Sequence, residues 1–443
     1  MQRFVVEQSD TEVYTSHAGL ALLGHCIRLS LLTEKVDGLP LRHGISHGDV
    51  VKTYLGQLCL GKSDFEAAEN ARNDDFFHQA LDIDRVPSSA RMRQRMDERA
   101  DDLLPLVDVA NITFLKAANA PVTPLWTGHV ALDFDVFPMD NSGTKREGVS
   151  WTYKGHHGYA PMGVYLGSVE GWCLACELRE GSWHSQKEFL YTLERVVPRA
   201  RILTELPLLA RLDSAHDALE NRVWFAEEGV DFLIKWNPRK QDKEGWLAYA
   251  EQAEHEVDWS TPRAGKRVAV FSVHEEQVDD EGKTHAFRRV MRVTERTIDK
   301  RGQKLLLPDI EIDGWWTSLD LTDGDIIQLY KDHANCEQFH SEFKTDLDLE
   351  RLPSGKLATN DLVMALGTLA YNMLRYMGLE GLIGEKTPIR HPAKRRRIRT
   401  VMQELMYLAA RWVKHARRFY LRFSSHCPGF HAFHKVHERL AYA

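Results

Sequence analysis

At 443 residues, with 43% apolar and 27% charged side chains, the chain is too long for one compact core and has the composition of an ordinary folded protein of about two or three domains. It has no run of about eighteen apolar residues, and its opening MQRFVVEQSDTE lacks the apolar core of a secretory signal, so neither a membrane span nor secretion is expected, and a cytoplasmic location is. The net charge of −7 is unevenly divided: from Lys386 to Ala443, 14 Lys and Arg face two acids, which leaves −19 on the rest of the chain. A basic end on an acidic body suits a polyanion docked at one place, although a solvated basic helix face would look the same.

Residues 1–124 read as mostly helical. GDVVKTYLGQLCLG and ARMRQRMDERADDLLPLVDVANITFLKAA carry apolar residues at three- and four-residue spacing, and Pro87-Ser88-Ser89 predicts the start of the second helix. Arg91, Arg95 and Arg99 share one face of it, available to a phosphate backbone or simply to water. Strand signals begin near Trp126: HVALDFDVF, PMGVYLGSV and WCLACEL, like a three-strand meander. A helix near 185–197, a short run PLLARLD, a helix over about 215–228 and the strand VDFLIKW complete a β-β-β-α-β-α-β order, which fits an α/β domain with a mixed sheet. Residues 237 to about 310 hold charged, β-like runs that read as an insertion. A helix from Asp325 through Lys344 follows, then a turn at Pro353-Ser354-Gly355, a long helix to about Met377, and a basic end expected to be helical.

The six cysteines, Cys26, Cys59, Cys173, Cys176, Cys336 and Cys427, are sparse for this length and read as reduced cytosolic thiols. Cys173-x2-Cys176 has half of a zinc spacing and reads as core. His426, His431, His434 and His437 with Cys427 offer a metal set, although a basic tail containing histidines is the simpler account. Trp315 and Trp316 are either sheet core or a platform for a base displaced from a duplex end.

Three segments offer acids for chemistry. Asp133 and Asp135 are two apart on a strand and share a face, where they repel unless a cation or basic group compensates. Asp213 closes the strand PLLARLD, at the strand tip where α/β sheets place ligands; it or Ser214 also suits a helix cap. In YKDHANCEQFHSEFK, Tyr330, His333, Glu337 and Lys344 fall within an arc of about 60° on one helix. Acids from two strands and a helix suit a pair of Mg²⁺ ions, hard cations that can stabilise both oxygens of an in-line displacement at phosphorus.

At these residues the chain resembles the DDE transposases of bacterial insertion sequences, in particular the branch with a Tyr-x2-Arg-x3-Glu-x6-Lys helix. That motif reads Tyr330, His333, Glu337 and Lys344 here, with every spacing kept. Leu352-Pro353, and Ala370-Tyr371-Asn372 to Arg375, echo the stretch that follows it. LDFDVF matches around Asp135, ARLDSAHDALE around Asp213, and KREGVSWTYKGHHGYAP is similar to the glycine and Gly-Tyr-x-Pro pattern. His333 stands where the branch has Arg, and Val136-Phe137 follow Asp135 where a hydroxyl residue is usual.

The resemblance implies a ribonuclease-H-like catalytic domain (125–236 and 323–384) interrupted by a β-rich insertion (237–322). A helical N-terminal DNA-contact region (1–124) and a basic helical C-terminal region (385–443) flank it. It implies a transposase in which Asp135, Asp213 and Glu337 hold two Mg²⁺ or Mn²⁺ ions. Tyr330, His333, Lys344, Arg91, Arg95, Lys394, Arg395, Arg396 and Arg397 would contact double-stranded DNA, and the chain would pair as a homodimer on DNA, near the nucleoid. An inactive DNA-binding descendant of the fold, or a nuclease that cuts without joining, are the alternatives.

Overall fold

The computed structural model describes residues 4–41, 43–252, 257–385, 387–416 and 418–442. A short strand β1 (Val13–Thr15) precedes helices α1 (Leu20–Ser30), α2 (Leu32–Asp37), α3 (His47–Cys59), α4 (Ala68–Ala71), α5 (Asp75–Leu81) and α6 (Ser89–Ala117). The start of α6 falls where the sequence predicts it: Ser88 stays extended and its hydroxyl accepts the amide of Arg91. The helix is bent at Arg99, where the backbone leaves helical geometry, and it contains Pro105.

The central portion supplies β2 (Val130–Val136), β3 (Met139–Asp140), β4 (Ser150–Trp151), β5 (His157–Tyr159), β6 (Met162–Leu166) and β7 (Trp172–Glu177). Helix α7 (Phe189–Leu203), β8 (Leu208–Leu212), α8 (Leu219–Glu227) and β9 (Asp231–Lys235) follow. Next come α9 (Lys243–Gln252), β10 (Asp258–Arg263), β11 (Lys266–Val278), β12 (Thr284–Ile298) and β13 (Lys304–Thr317). One nine-stranded sheet takes the order β10-β11-β12-β13-β9-β8-β2-β6-β7. Its β2–β8 and β8–β9 pairings are parallel, and β2–β6 and β6–β7 antiparallel. The expected β insertion therefore does not stand apart. Its last strand is bonded antiparallel to β9, and the long hairpins β10–β13 continue the sheet.

Edge strand β7 exposes backbone groups that must find partners. Asn372 satisfies both groups of Cys173, its Oδ1 accepting the amide at 2.9 Å and its Nδ2 reaching the carbonyl at 2.7 Å, while Asp361 accepts the amide of Leu178. Both come from α12 (Leu357–Leu382), a helix buried on nearly every side between α6 and the sheet, which is why its sequence is apolar all round.

Two expectations are corrected. The helix expected over 325–344 is present within a helical run over 323–346, but it is not a uniform α-helix. It consists of α10 (Asp323–Lys331), a 3₁₀ turn (Asp332–Asn335), α11 (Cys336–Ser341) and a π turn (Glu342–Asp346). Arg211 takes the carbonyl of Leu329, and the buried Arg375 pairs with Glu342, so side chains from elsewhere hold both irregular turns. The basic end is not wholly helical either. After α13 (Ile398–Val401), strands β14 (Ala410–His415) and β15 (Arg418–Phe423) form a hairpin that pairs with β1, and α14 (Phe430–Ala441) closes the chain. ARWVKH and RFYLRF hold aromatic and β-branched residues that suit a strand, but without clean alternation, and their charge obscured the signal.

Candidate active site

Strands β2 and β8 run parallel with Asp133 opposite Arg211. Two residues further along each stand Asp135, next to last in β2, and Asp213, just past the end of β8. The period of two puts Asp133 and Asp135 on one face, as it does Arg211 and Asp213. Adjacent parallel strands therefore bring two acids, 78 residues apart in sequence, to one end of the sheet.

The charge of the third acid is felt at Asp135 as well. Burial, then the charge of Asp213, and further the charges of Glu337 and Asp133, push the carboxyl of Asp135 up to about 7, against the opposing pull of the Val136 amide. About a quarter of its side chain is exposed, and His340 Nδ1 stands 3.5 Å from it. Burial works to raise Asp213 as well, but a hydrogen bond from His216 at 2.8 Å, the amide of Ala215 and the nearby His333 bring it below its ordinary value. Asp213 thus caps the turn Ser214–His216 through Oδ1 while 44% of its side chain remains exposed. Glu337 lies on the exposed side of α11.

Asp133, the other acid of the pair on β2, is already paired. Arg211 forks onto it from the next strand, and also reaches the hydroxyl of Ser168 and the carbonyl of Leu329. This supplies the compensating base that two carboxylates on one strand face require.

The remaining expected residues divide by exposure. Tyr330 lies beside Trp315 and His333, and burial with the charges of Asp213 and Asp135 raises its phenol well above the ordinary range. His333 has 11% of its side chain exposed. Burial, reinforced by Arg211 and opposed by Asp133, holds its imidazole below the usual value, so it is neutral near pH 7. Lys344 sits 3.3 Å from Glu350. Arg91 is exposed, but Arg95 is buried and donates to the carbonyl of Ile45 and to His47, so it is not part of the exposed arginine face expected from the sequence. Lys394 is exposed. Arg395 packs over the ring of Phe339 and donates to Gln338, Arg396 caps the carbonyls of Leu382, Ile389 and His391, and Arg397 is paired with Asp346.

Trp315 and Trp316 are both buried on β13 and point to opposite faces. Trp315 packs under Lys235 and near Tyr330. Trp316 lines a polar cavity of about 490 Å³ with Trp236, Trp246, Arg222 and Arg289. Cys173 and Cys176 are buried as expected, and the tail histidines do not gather with Cys427 into a ligand set among the described residues.

Four neighbours of the site escaped the sequence reading. Arg211 had a signal, an arginine inside an apolar strand run, which demands a buried partner. His216 and His340 each lie three residues beyond a proposed acid, but the second is visible only once α11 is placed. Tyr153 had none: its phenol donates to the carbonyl of Val136 at 3.0 Å, and burial with the charges of Asp135 and Asp213 pushes it up to about 12.

Asp135, Asp213 and Glu337 are oxygen donors near one end of the sheet, and a hard divalent cation would relieve the repulsion that Asp135 feels from the other two, but among the described residues the three do not close to within 4.8 Å of one another. A family model described as transposase DDE domain group 1 matches residues 2–443. No curated protein matches the chain. Among solved structures, a piggyBac transposase synaptic complex with hairpin DNA aligns at a TM-score of 0.38 and 9% identity, over 82% of this chain and 75% of that one.

Proposed function

Because the chain belongs to the family of transposase DDE domains, group 1, we propose that it is a divalent-metal-dependent DNA transposase of the insertion-sequence branch, with Asp135, Asp213 and Glu337 as the acids that hold the metals. The observation that carries this reading is electrostatic. Acids on neighbouring strand ends and on α11 lie close enough for Asp213 and Glu337 to raise the carboxyl of Asp135.

The proposed fold of the catalytic unit is ribonuclease-H-like. Support comes from three antiparallel strands, β7-β6-β2, continued by parallel β8 and β9, with the acids at the end of the first and fourth strands in chain order. Residues 125–236 and 323–384 are its two parts, 237–322 the inserted strands, and 1–124 and 385–443 the DNA-gripping flanks.

Two divalent ions bound by the trio, Mg²⁺ or Mn²⁺, would stabilise the attacking and leaving oxygens at phosphorus. The protein's own groups then have positioning tasks. Asp213, fixed by His216 and the amide of Ala215, keeps its second oxygen free for an ion. Arg211 neutralises Asp133, so the site holds three available charges and not four. Tyr330 and Lys344 border the trio and orient the strand, with His333 acting as a neutral imidazole. Arg91 and Lys394 contact phosphates, while Arg95, Arg395 and Arg396 support that surface from within and the exposed Arg397 is held by Asp346 unless DNA releases it. The reaction is cleavage at an element end, followed by attack of the freed 3′-hydroxyl on a phosphodiester. A homodimer on double-stranded DNA is the proposed working form.

The test combines a nicking assay with a strand-transfer assay on the element's ends in Mg²⁺. Cleavage and joining by the parent, both lost in Asp135→Asn and Glu337→Gln, is the expected result. Binding without cleavage would establish the inactive descendant, and cleavage without joining the nuclease.

A further inference from the structure

We propose that Asp133, His333 and Cys336 form a separate site for a soft divalent ion, zinc by its donor chemistry, behind the carboxylate trio. One ligand atom from each of the three lies within 4.8 Å of the others. The set joins a carboxylate, an imidazole and a thiol, which selects zinc over magnesium. His333-x2-Cys336 spans the junction of the 3₁₀ turn and α11, while Asp133 faces them from β2.

A second observation points to a ligand. Nε2 of His333 is buried and has no hydrogen-bond partner, an arrangement that is destabilising unless something occupies the lone pair or proton. It stands 3.8 Å from Oδ1 of Asp133, too far for a hydrogen bond. Tetrahedral ligands about 2.0–2.3 Å from zinc lie roughly 3.3–3.6 Å apart; Asp133 and His333 at 3.8 Å are near that spacing, and the thiol, within 4.8 Å, closes the site by drawing in by up to about 1 Å, with water in the fourth position. Arginine, usual at position 333 in the branch the chain resembles, has no lone pair to offer.

Arg211 is the main competitor, since it already engages both oxygens of Asp133. Each carboxylate oxygen has two lone pairs, so the guanidinium can remain behind the carboxylate as its outer partner while the other side of Oδ1 faces the ion. Binding forms an Sγ–Zn bond and releases the Cys336 thiol proton to solvent, without oxidation or reduction. One positive charge is added overall, beside Asp135 and its acidic neighbours. Occupancy would clamp β2 to α11 and so fix the strand of Asp135 against the helix of Glu337.

The inference does not rest on catalysis by the trio, and its test does not read activity. The full chain, stripped by chelator, is titrated with Co²⁺ and then Zn²⁺ in excess Mg²⁺. One Co²⁺ per chain with a thiolate-to-cobalt charge-transfer band, displaced by Zn²⁺, is expected. Cys336→Ser should abolish the band, His333→Ala should weaken binding at least about tenfold, and Asp135→Asn should leave both unchanged. Cobalt binding without a thiolate band in the parent would overturn the site whether or not the variants fold. So would a band that survives in Cys336→Ser, or no uptake of either ion by the parent.

Discussion

Arg211 holds Asp133 with both arms of its guanidinium, Nε to Oδ1 at 2.6 Å and Nη2 to Oδ2 at 2.7 Å, and neither side chain reaches solvent. The pair spans neighbouring parallel strands two residues before Asp135 and Asp213, so it sets the register that brings those acids together. Removing one partner leaves a buried charge alone. Asp133→Asn and Arg211→Met should each cost about 3–5 kcal/mol, and the double variant Asp133→Leu/Arg211→Met should recover most of it. Urea unfolding midpoints measure this. Single variants within about 1 kcal/mol of the parent would show that the pair does not hold the register.

The raised carboxyl of Asp135 gives stability a pH dependence. Ionising near 7 when folded and near its ordinary value of about 4 when unfolded, it binds more protons in the folded state between those limits. The metal-free protein should therefore lose stability as pH rises through that window. Asp135→Asn removes the effect: a gain of at least about 1 kcal/mol over the parent at pH 8 and little difference at pH 4 are expected from thermal melts. An offset independent of pH would contradict this.

Magnesium should reverse that loss, because the ion requires the ionised carboxylate. The rise in melting temperature on adding Mg²⁺ is expected to be larger at pH 8 than at pH 6, and absent in Asp135→Asn. An equal increment at both pH values would place the ion elsewhere.

A charged imidazole at position 333 would predict that arginine raises cleavage at high pH. Burial and Arg211 instead hold His333 neutral. His333→Arg should leave the pH–rate profile unshifted and lower stability by roughly 1–3 kcal/mol through overpacking. Cleavage that rises selectively above pH 7 in the variant would restore the phosphate-holding role.

The basic run 394–397 should separate into two kinds of residue. Lys394→Ala, at an exposed position, should reduce the slope of log affinity against log salt by about 0.9 with unchanged stability. Arg397→Ala breaks the pairing with Asp346 at 2.8 Å and should show chiefly as a lower melting temperature. Filter binding at several salt concentrations, set beside thermal melts, distinguishes them. Equal salt slopes for Lys394→Ala and the parent would remove Lys394 from the interface.

Much of this protein was legible as a string. Alternation in HVALDFDVF and the short apolar runs PMGVYLGSV, WCLACEL, PLLARLD and VDFLIKW marked all five strands around the site, because these strands are buried on nearly every side and so read as short stretches of apolar residues. The apolar stretch after Gly355 marked the central helix to about Met377, short of its end at Leu382, and motif spacing singled out Asp135, Asp213 and Glu337 as candidates. Tertiary structure decided what the local patterns could not contain. Arg211 and Arg375 reach in from distant elements to the carbonyl of Leu329 and to Glu342, beside the 3₁₀ and π turns that make the helix expected over 325–344 irregular, and the pairing of Val13–Thr15 with 410–415 turns a basic tail into a sheet. It also decided which of the acids on β2 is free and which is neutralised. The reason is physical: periodicity records which way a side chain points within its own segment, whereas charge state and helix continuity depend on groups that only folding brings within a few ångströms.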